Sequence, residues 1–182
     1  MALRTPPSWL QQGSHPAEND RLAMQALFYT TGTVGDTSLV VSANGTPNMS
    51  VNVASGWGAI VGTTQANMGV YQFYNDATTN LTVTAANASL PRIDRVVVTI
   101  NDAYYTGLLN NVTFTVIAGT PNASPTAPAV PANSMSLATI AVAAAATTIT
   151  SGNITDTRVA ATSLLAASGG GGGFDPFMLM GA

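Results

Sequence analysis

The sequence predicts a mainly β protein: an antiparallel β-sandwich or barrel-like domain with one N-terminal helix and extended N- and C-terminal arms. Two observations support this fold class. Beyond Gly32, short stretches of β-branched and aromatic residues alternate with polar residues, and Asn, Gly, Asp or Pro turns separate them. Only one segment, near the N-terminus, has apolar residues at helical spacing. Short strands at such intervals are typical of sandwiches and barrels.

Residues 1–15 are predicted to form an N-terminal arm. Pro6 and Pro7 favour extended backbone, and the Gln- and Gly-containing stretch that follows has no periodicity. Trp9 and Leu10 are the apolar exception in this arm. We expect this pair either to dock into a partner or to pack on its own domain.

A helix is predicted over residues 16–28. Pro16 suits the first turn of a helix, and Glu18 and Asp20 are favourable at the positive N-terminal end of its dipole. The apolar positions at helical spacing are Leu22, Ala23, Ala26 and Leu27. We expect this stripe to place the helix on a sheet or on a symmetry-related copy.

Eight strands are predicted in the remainder of the domain. They span residues 38–42, 48–53, 57–61, 69–74, 80–84, 93–101, 112–117 and 136–143. Alternation is clearest where Met49, Val51 and Val53 are expected to point inward, and Leu81 and Val83 repeat the pattern.

Two segments between and after these strands have distinct compositions. Residues 121–131 contain four prolines, which predict an extended connector that crosses the surface and contributes little to any sheet. The Ala-rich run 141–146 is helical by propensity, but its flanking residues favour a strand at its start and a turn after that.

The chain therefore divides into four predicted segments. These are the arm (1–15), a helix plus β-sandwich domain (16–160), a Gly-rich linker (161–173) and a hydrophobic C-terminal docking tail (174–182). Five consecutive glycines in the linker exclude a packed element there. The apolar side chains of the tail are Phe174, Phe177, Met178, Leu179 and Met180. We expect them to bind a groove on a receptor, the alternative being a chain end without function.

The charge composition excludes several function classes. Charged residues make up 7% of the chain, lysine does not occur, and the five arginines against eight acidic residues give a net charge of −3. Because no basic stripe can neutralise phosphates, we expect no nucleic-acid binding. A surface so poor in charge favours association, so assembly with copies of the same chain is expected.

The sequence also argues against export and membrane insertion. Cysteine is absent, so neither disulfides nor thiolate metal sites contribute. The first residues lack an apolar core of signal-peptide length, and no apolar run approaches the roughly eighteen residues that span a bilayer. We expect synthesis in the cytoplasm without export by a signal, and no membrane insertion.

No motif for catalysis, cofactor binding or metal binding is found. The one histidine, His15, precedes a proline on the arm and has no nucleophile or second ligand in register. The glycines at 169–173 lack the Gly-Lys-Ser/Thr that completes a phosphate loop. The Asp/Asn pairs lack the alternating oxygen spacing of a calcium loop. We expect no enzymatic activity, no cofactor and no metal.

The charge triplet formed by Arg92, Asp94 and Arg95 is a candidate structural site. At strand periodicity Arg92 and Asp94 share one face, and Arg95 lies on the other. Neighbouring arginines keep a carboxylate ionised, so Asp94 is not suited to act as an acid. We expect Asp94 to form an ion pair with an arginine, with Arg158 as the best candidate, or else a solvated pair of little energetic consequence.

Four passages in order carry a resemblance to a known kind of protein domain. They are residues 16–21 leading into the helix, 53–62, 91–100 with 104–107, and 119–158. Together they resemble a domain recurrent in minor tail, baseplate and fibre proteins of tailed bacteriophages, especially those that infect actinobacteria. The resemblance implies a structural protein of the virion, commonly threefold, and brings no catalytic residues with it.

In that family the domain usually anchors a longer fibre or receptor-binding part. Here oligoglycine and a hydrophobic tail follow Arg158 instead. We therefore expect a connector, a tail-tip component or a head decoration, located in the virion after assembly in the host cytoplasm.

Two function hypotheses stay open. The first is a self-associating virion structural protein, by resemblance a homotrimer, whose arm and tail engage other phage tail or capsid proteins. The second is a carbohydrate-binding or receptor-binding module that recognises a glycan of the bacterial envelope through exposed aromatic side chains. The candidates are Tyr104 and Tyr105, with Trp57, Tyr71 and Tyr74. A capsid decoration or head-fibre protein is a further alternative within the first class.

Overall fold

The computed structural model describes residues 16–162 and has a mainly β fold, as predicted. The helices are α1 (Ala17–Met24) and α2 (Ala103–Thr106), with a 3-10 turn at Ser151–Asn153. The strands are β1 (Gly32–Val34), β2 (Val41–Ala43), β3 (Ser50–Val53), β4 (Gly56–Val61), β5 (Val70–Asn75), β6 (Thr79–Thr82), β7 (Arg92–Asn101), β8 (Asn111–Ile117), β9 (Ser134–Val142) and β10 (Ile154–Asp156).

These strands form three small antiparallel sheets. Their orders are β1-β4-β5, β2-β3-β6 and β10-β9-β7-β8. Each of the eight predicted strands overlaps one of these strands. The two that sequence patterns do not reveal, β1 and β10, have three residues each, too few for an alternating pattern to be recognised.

One hydrophobic core is shared by strands of all three sheets. It includes Val51 and Val53 of β3, Ile60 of β4, Val96 of β7 and Leu137 of β9, all inaccessible to solvent. Burial of one such side chain stabilises the fold by about 1.5–3 kcal/mol. The predicted inward orientation of the alternating residues in β3 is confirmed.

Helix α1 is shorter than predicted and packs differently from the expected apolar stripe. It ends at Met24, and within it only Asn19 is buried, whereas Ala23 is exposed, as are Ala26 and Leu27 beyond the helix end. The helix approaches the start of β5 at Gly69, where a side chain would clash with the backbone of Arg21 and where φ is +69°. A polar contact through Arg21, rather than the stripe, therefore positions this helix.

The proline-rich connector returns the chain along the length of a sheet. Strands β8 and β9 flank β7 and both run antiparallel to it, so the chain between Ile117 and Ser134 must travel back from one end of β7 to the other. It contains no strand, as its prolines predict. Arg95 holds it by donating Nε to the carbonyl of Pro128 at 2.7 Å and Nη1 to Ser136 Oγ at 2.7 Å.

The last described residues close the domain against β1. Thr33 forms a parallel bridge with Ala160, its amide donates to Val159 O at 2.8 Å, and its carbonyl accepts from the amide of Ala161 at 2.9 Å. A side chain at Gly32 would clash with the backbone of residues 160 and 161. The segment after β10 is thus part of the folded body up to the last residue described.

Candidate functional site

Asp94 forms an ion pair with Arg92, and the predicted pair of Asp94 with Arg158 is wrong. Arg92 Nε lies 2.8 Å from Asp94 Oδ1, Arg92 is 4% exposed, and Asp94 is inaccessible. Cross-strand register explains the correction. Asp94 lies opposite Ile140 on β9, and Ile140 lies opposite Ile154 on β10. Arg158 follows Ile154 by four residues and is therefore out of reach of Asp94. Arg92, two residues away on the same face, is within reach.

The buried pair satisfies backbone groups of two separate connections. Arg92 also donates to the carbonyls of Thr84 and Ala85 in the segment between β6 and β7. Asp94 Oδ1 also accepts the amide of Gly119, 2.8 Å away, at the start of the β8–β9 connector. The ion pair therefore attaches the β6–β7 segment and the β8–β9 connector to the inner face of the largest sheet.

Arg158 instead binds Asp156 and the turn between β1 and β2. Its Nη2 lies 2.7 Å from Asp156 Oδ2, and its Nη1 donates to the carbonyls of Ser38 at 2.6 Å and Asp36 at 3.1 Å. The Arg158 side chain is 12% exposed, whereas that of Asp156 is 57% exposed. The side-chain hydrogen bond from Arg158 lowers the pKa of Asp156 despite some opposing desolvation.

Arg21 organises a third polar cluster, between α1, β5 and α2. Its Nε donates to Met68 O at 2.7 Å, and its Nη2 donates to Tyr105 Oη at 3.2 Å. Its guanidinium carbon lies 4.8 Å from the centre of the Tyr71 ring, and Nη1 is 3.8 Å from Asp102 Oδ2. The cluster combines hydrogen bonds with a cation–π contact.

Tyr71 and Asp102 are coupled within this cluster. Tyr71 Oη donates to Asp102 Oδ2 at 2.7 Å. Burial of the phenol raises the pKa of Tyr71 well above its ordinary value, and the hydrogen bond to Asp102 raises this pKa further. Both effects favour the neutral phenol, which donates this hydrogen bond.

Asp102 also shapes the tip of the β7–β8 hairpin. Its Oδ1 caps α2 by accepting the amide of Tyr104 at 3.0 Å, and Asn110 Oδ1 accepts the amide of Ala103 at 2.8 Å. Gly107 ends the turn with a φ of +76°, a conformation that favours glycine. This tip presents Tyr104 and Leu108, each 82% exposed.

All four arginines of residues 16–162 are used in such internal contacts. Arg21 attaches α1 to the start of β5, Arg92 and Arg95 attach connections to the largest sheet, and Arg158 attaches the end of β10 to the β1–β2 turn. None is exposed, whereas Asp36, Asp76 and Asp156 are exposed. The described surface therefore offers acidic and neutral groups but no exposed arginine for an anionic ligand.

A groove lies between α1 and the hairpin tip. Its volume is about 430 Å³, and its lining includes Pro16, Asp102, Tyr104 and Tyr105. The two tyrosine rings meet edge to face, with centroids 5.0 Å apart. The predicted glycan-contact residues Tyr104 and Tyr105 are therefore adjacent, with Tyr104 exposed and Tyr105 partly buried.

A second exposed aromatic surface lies on the β1-β4-β5 sheet. Val34, Trp57 and Tyr74 form one cross-strand row in register. The Trp57 and Tyr74 rings stack at 4.4 Å between centroids, and each side chain is 56% exposed. The stack could not be predicted from the sequence, because it depends on the register between β4 and β5.

Several predicted interaction residues lie outside the described range. They are Trp9 and Leu10 of the arm, and Phe174, Phe177, Met178, Leu179 and Met180 of the tail. Within residues 16–162, no three His, Cys, Asp or Glu side chains are grouped as metal ligands would be. No helix in this part of the chain is long and apolar enough to span a bilayer.

Comparison with known proteins adds no identification. No family model, no curated protein and no solved structure matches the chain.

Proposed function

We propose that the chain is a structural protein of a tailed-bacteriophage virion, a minor tail, baseplate or fibre-anchoring component. It associates with copies of itself, as a homotrimer, and docks to neighbouring virion proteins. One observation carries the proposal: the four described arginines are all engaged in contacts within the chain and none is exposed, while large apolar side chains remain exposed, among them Trp57, Tyr74, Tyr104 and Leu108.

The physical argument is one of solubility. A folded monomer stays dispersed mainly through a charged and mixed surface, and exposed aromatic surface marks a contact with another protein. Here the cations are internal, and the exposed row of Val34, Trp57 and Tyr74 stands on a three-stranded sheet. Trp and Tyr are enriched among the residues that dominate binding energy at interfaces. We therefore assign this row to the contact between copies.

Native mass spectrometry of the full chain over a range of concentrations tests self-association. We expect a discrete trimer, and monomers at every concentration would contradict the proposal. Trp57→Glu should dissociate the trimer because it places a charge in the row. Leu108→Glu, the same charge change at the hairpin tip, serves as the matched control and should leave the trimer intact.

Location in the virion needs a separate measurement. Purified particles of the phage or prophage that encodes the chain should contain it in fixed stoichiometry by quantitative mass spectrometry. An antibody against the chain should label the tail in electron micrographs. Labelling of the head instead would support the decoration or head-fibre alternative, and absence from the particles would contradict a virion role.

A second candidate function is recognition of a bacterial envelope glycan. It is favoured by the exposed Tyr104 ring beside the groove, because an aromatic face with nearby polar groups can stack on a sugar. A glycan array probed with the full chain should give a signal that Tyr104→Ala abolishes. Leu90→Ala, which removes an exposed apolar side chain outside the groove, should retain this signal.

A further inference from the structure

We propose that the groove between α1 and the hairpin tip binds the N-terminal arm of the same chain, through residues 4–10. This assignment goes beyond the proposed virion role, because it holds for a monomer as well as for a trimer. It also assigns a contact site to Trp9 and Leu10, the pair expected either to dock into a partner or to pack on its own domain.

The arm is attached to the domain at the groove, because Pro16, the first described residue, itself lines it. Trp9 is seven residues from Pro16, which allows a reach of up to about 24 Å in extended chain. Gly13 lies between them and permits the chain to turn back.

The arm and the groove also match in chemistry. Pro6 and Pro7 favour the polyproline II conformation, and proline-rich segments in this conformation dock into grooves lined by aromatic side chains. The groove presents Tyr104, 82% exposed, and Tyr105 at an edge-to-face angle of 82°. An occupant that carries Trp9 would cover the exposed ring, which otherwise costs free energy in water.

The arm and the described domain are opposite in formal charge. Residues 1–15 contain Arg4 and no acidic residue. Residues 16–162 contain seven acidic residues and four arginines, a formal charge of −3, and none of these arginines is exposed. Glu18, Asp102 and Arg21 line the groove, and Arg21 Nη1 lies 3.8 Å from Asp102 Oδ2, so two acidic residues face one arginine there. The cationic, proline-rich arm is therefore attracted by the net negative charge of the groove and of the described domain.

The same chain is favoured over a neighbouring copy by effective concentration. A segment tethered by a few residues reaches its site at an effective concentration of about a millimolar. A second copy reaches that concentration only within an assembly. A docked arm also covers Tyr104, so it would compete with the glycan of the second candidate function.

The two tryptophans of the chain provide a direct test. In the full chain carrying Trp57→Phe, which keeps an aromatic ring in the stack, Trp9 is the only tryptophan. We expect its emission to be shifted to shorter wavelength. Tyr104→Ala in this background should increase acrylamide quenching of Trp9 on the order of threefold, because a docked indole is shielded from water.

Two further variants control for indirect effects. Leu90→Ala removes an exposed apolar side chain that lines neither the groove nor the proposed contact between copies, and should leave Trp9 quenching unchanged. Arg4→Glu reverses the charge of the arm without altering a described residue, and should release Trp9 partly. The latter variant keeps the test decisive if Tyr104→Ala perturbs the hairpin.

Each outcome decides the proposal. Protection of Trp9 that persists on dilution to monomer, is lost in Tyr104→Ala and is reduced in Arg4→Glu supports it. Three outcomes overturn it: quenching of Trp9 as in a free peptide, protection that neither variant reduces, and protection that disappears on dilution. The last of these would assign the groove to the arm of a second copy.

Discussion

Two arginine–aspartate pairs with the same sequence spacing occupy opposite environments. Arg92 and Asp94 are separated by two positions on β7, and so are Asp156 and Arg158 at the end of β10. The nitrogen–oxygen distances are similar, 2.8 Å and 2.7 Å. Burial differs: Asp94 is inaccessible, whereas Asp156 is 57% exposed.

The surroundings of an ion pair, rather than its nitrogen–oxygen distance, therefore determine how much the pair contributes to the free energy of unfolding. Asp94 has lost its water and depends on Arg92 and the Gly119 amide, so an unpaired partner would be left in the interior. Asp156 keeps contact with water, which screens its attraction to Arg158. The buried pair should therefore dominate stability, and the surface pair should matter mainly through its arginine.

The largest expected effect comes from Asp94→Asn. It leaves the Arg92 guanidinium buried without a counter-charge, so the free energy of unfolding should fall by about 3–5 kcal/mol. Urea denaturation followed by circular dichroism measures this change. Asp156→Asn is the matched control at the surface pair. A loss below about 1 kcal/mol for Asp94→Asn would show that burial does not separate the two pairs.

Arg158→Ala should have the next largest effect, about 1–2 kcal/mol, because the arginine also donates to the carbonyls of Asp36 and Ser38. The same denaturation experiment measures it. Arg158→Ala should therefore destabilise the domain more than Asp156→Asn does. Equal effects would mean that the ion pair itself, rather than attachment to the β1–β2 turn, is the contribution of Arg158.

The cluster around Asp102 is partly buried, between the two ion pairs in exposure. Tyr71→Phe removes one hydrogen bond there, so the free energy of unfolding should fall by about 1 kcal/mol. Because the folded pKa of Tyr71 is raised, its contribution is present below the ordinary tyrosine pKa, near 10, and is lost as pH rises through the folded value. Absorbance at 295 nm should show one tyrosine that resists ionisation, absent in Tyr71→Phe and present in Tyr104→Phe. Ionisation of all tyrosines together in the folded protein would contradict this.

The smallest expected effect is the loss of stability at acid pH that follows protonation of Asp156. The folded pKa of Asp156 is lowered, so its contribution is present above the unfolded pKa, near 4, and is lost as pH falls through the folded value. Since Asp156 is 57% exposed, the contribution should stay below about 1 kcal/mol. Stability measured from pH 6 to pH 2 should decrease slightly less in Asp156→Asn than in the unaltered protein. If stability decreased with falling pH equally in both proteins, the pair would not contribute to acid denaturation.

Most strands and the connector could be predicted from the sequence because their signals are local. Val51 and Val53 alternate with polar neighbours. The prolines of residues 121–131 prevent that segment from pairing as a strand, whatever its position in the fold. Strands β1 and β10 could not be predicted, because three residues are stable as strands only beside a longer partner.

The candidate surfaces were predicted only in part. Tyr104 and Tyr105 are neighbours in the chain, so their grouping could be expected from the sequence. The groove beside them also needs Pro16 and Asp102, 86 positions apart in the sequence, and the Trp57–Tyr74 stack needs a specific register. Such groupings have no local signal.

The sequence by itself determined the mainly antiparallel β class, the faces that Arg92 and Asp94 share, and the scarcity of charge, since these depend on composition and on neighbours along the chain. Tertiary structure was needed to know which arginine binds Asp94, which helix, connection or turn each described arginine attaches, and which aromatic rings remain exposed. Pairing across strands brings together segments from distant parts of the chain, and a shift of register by one residue would reverse the face of every side chain.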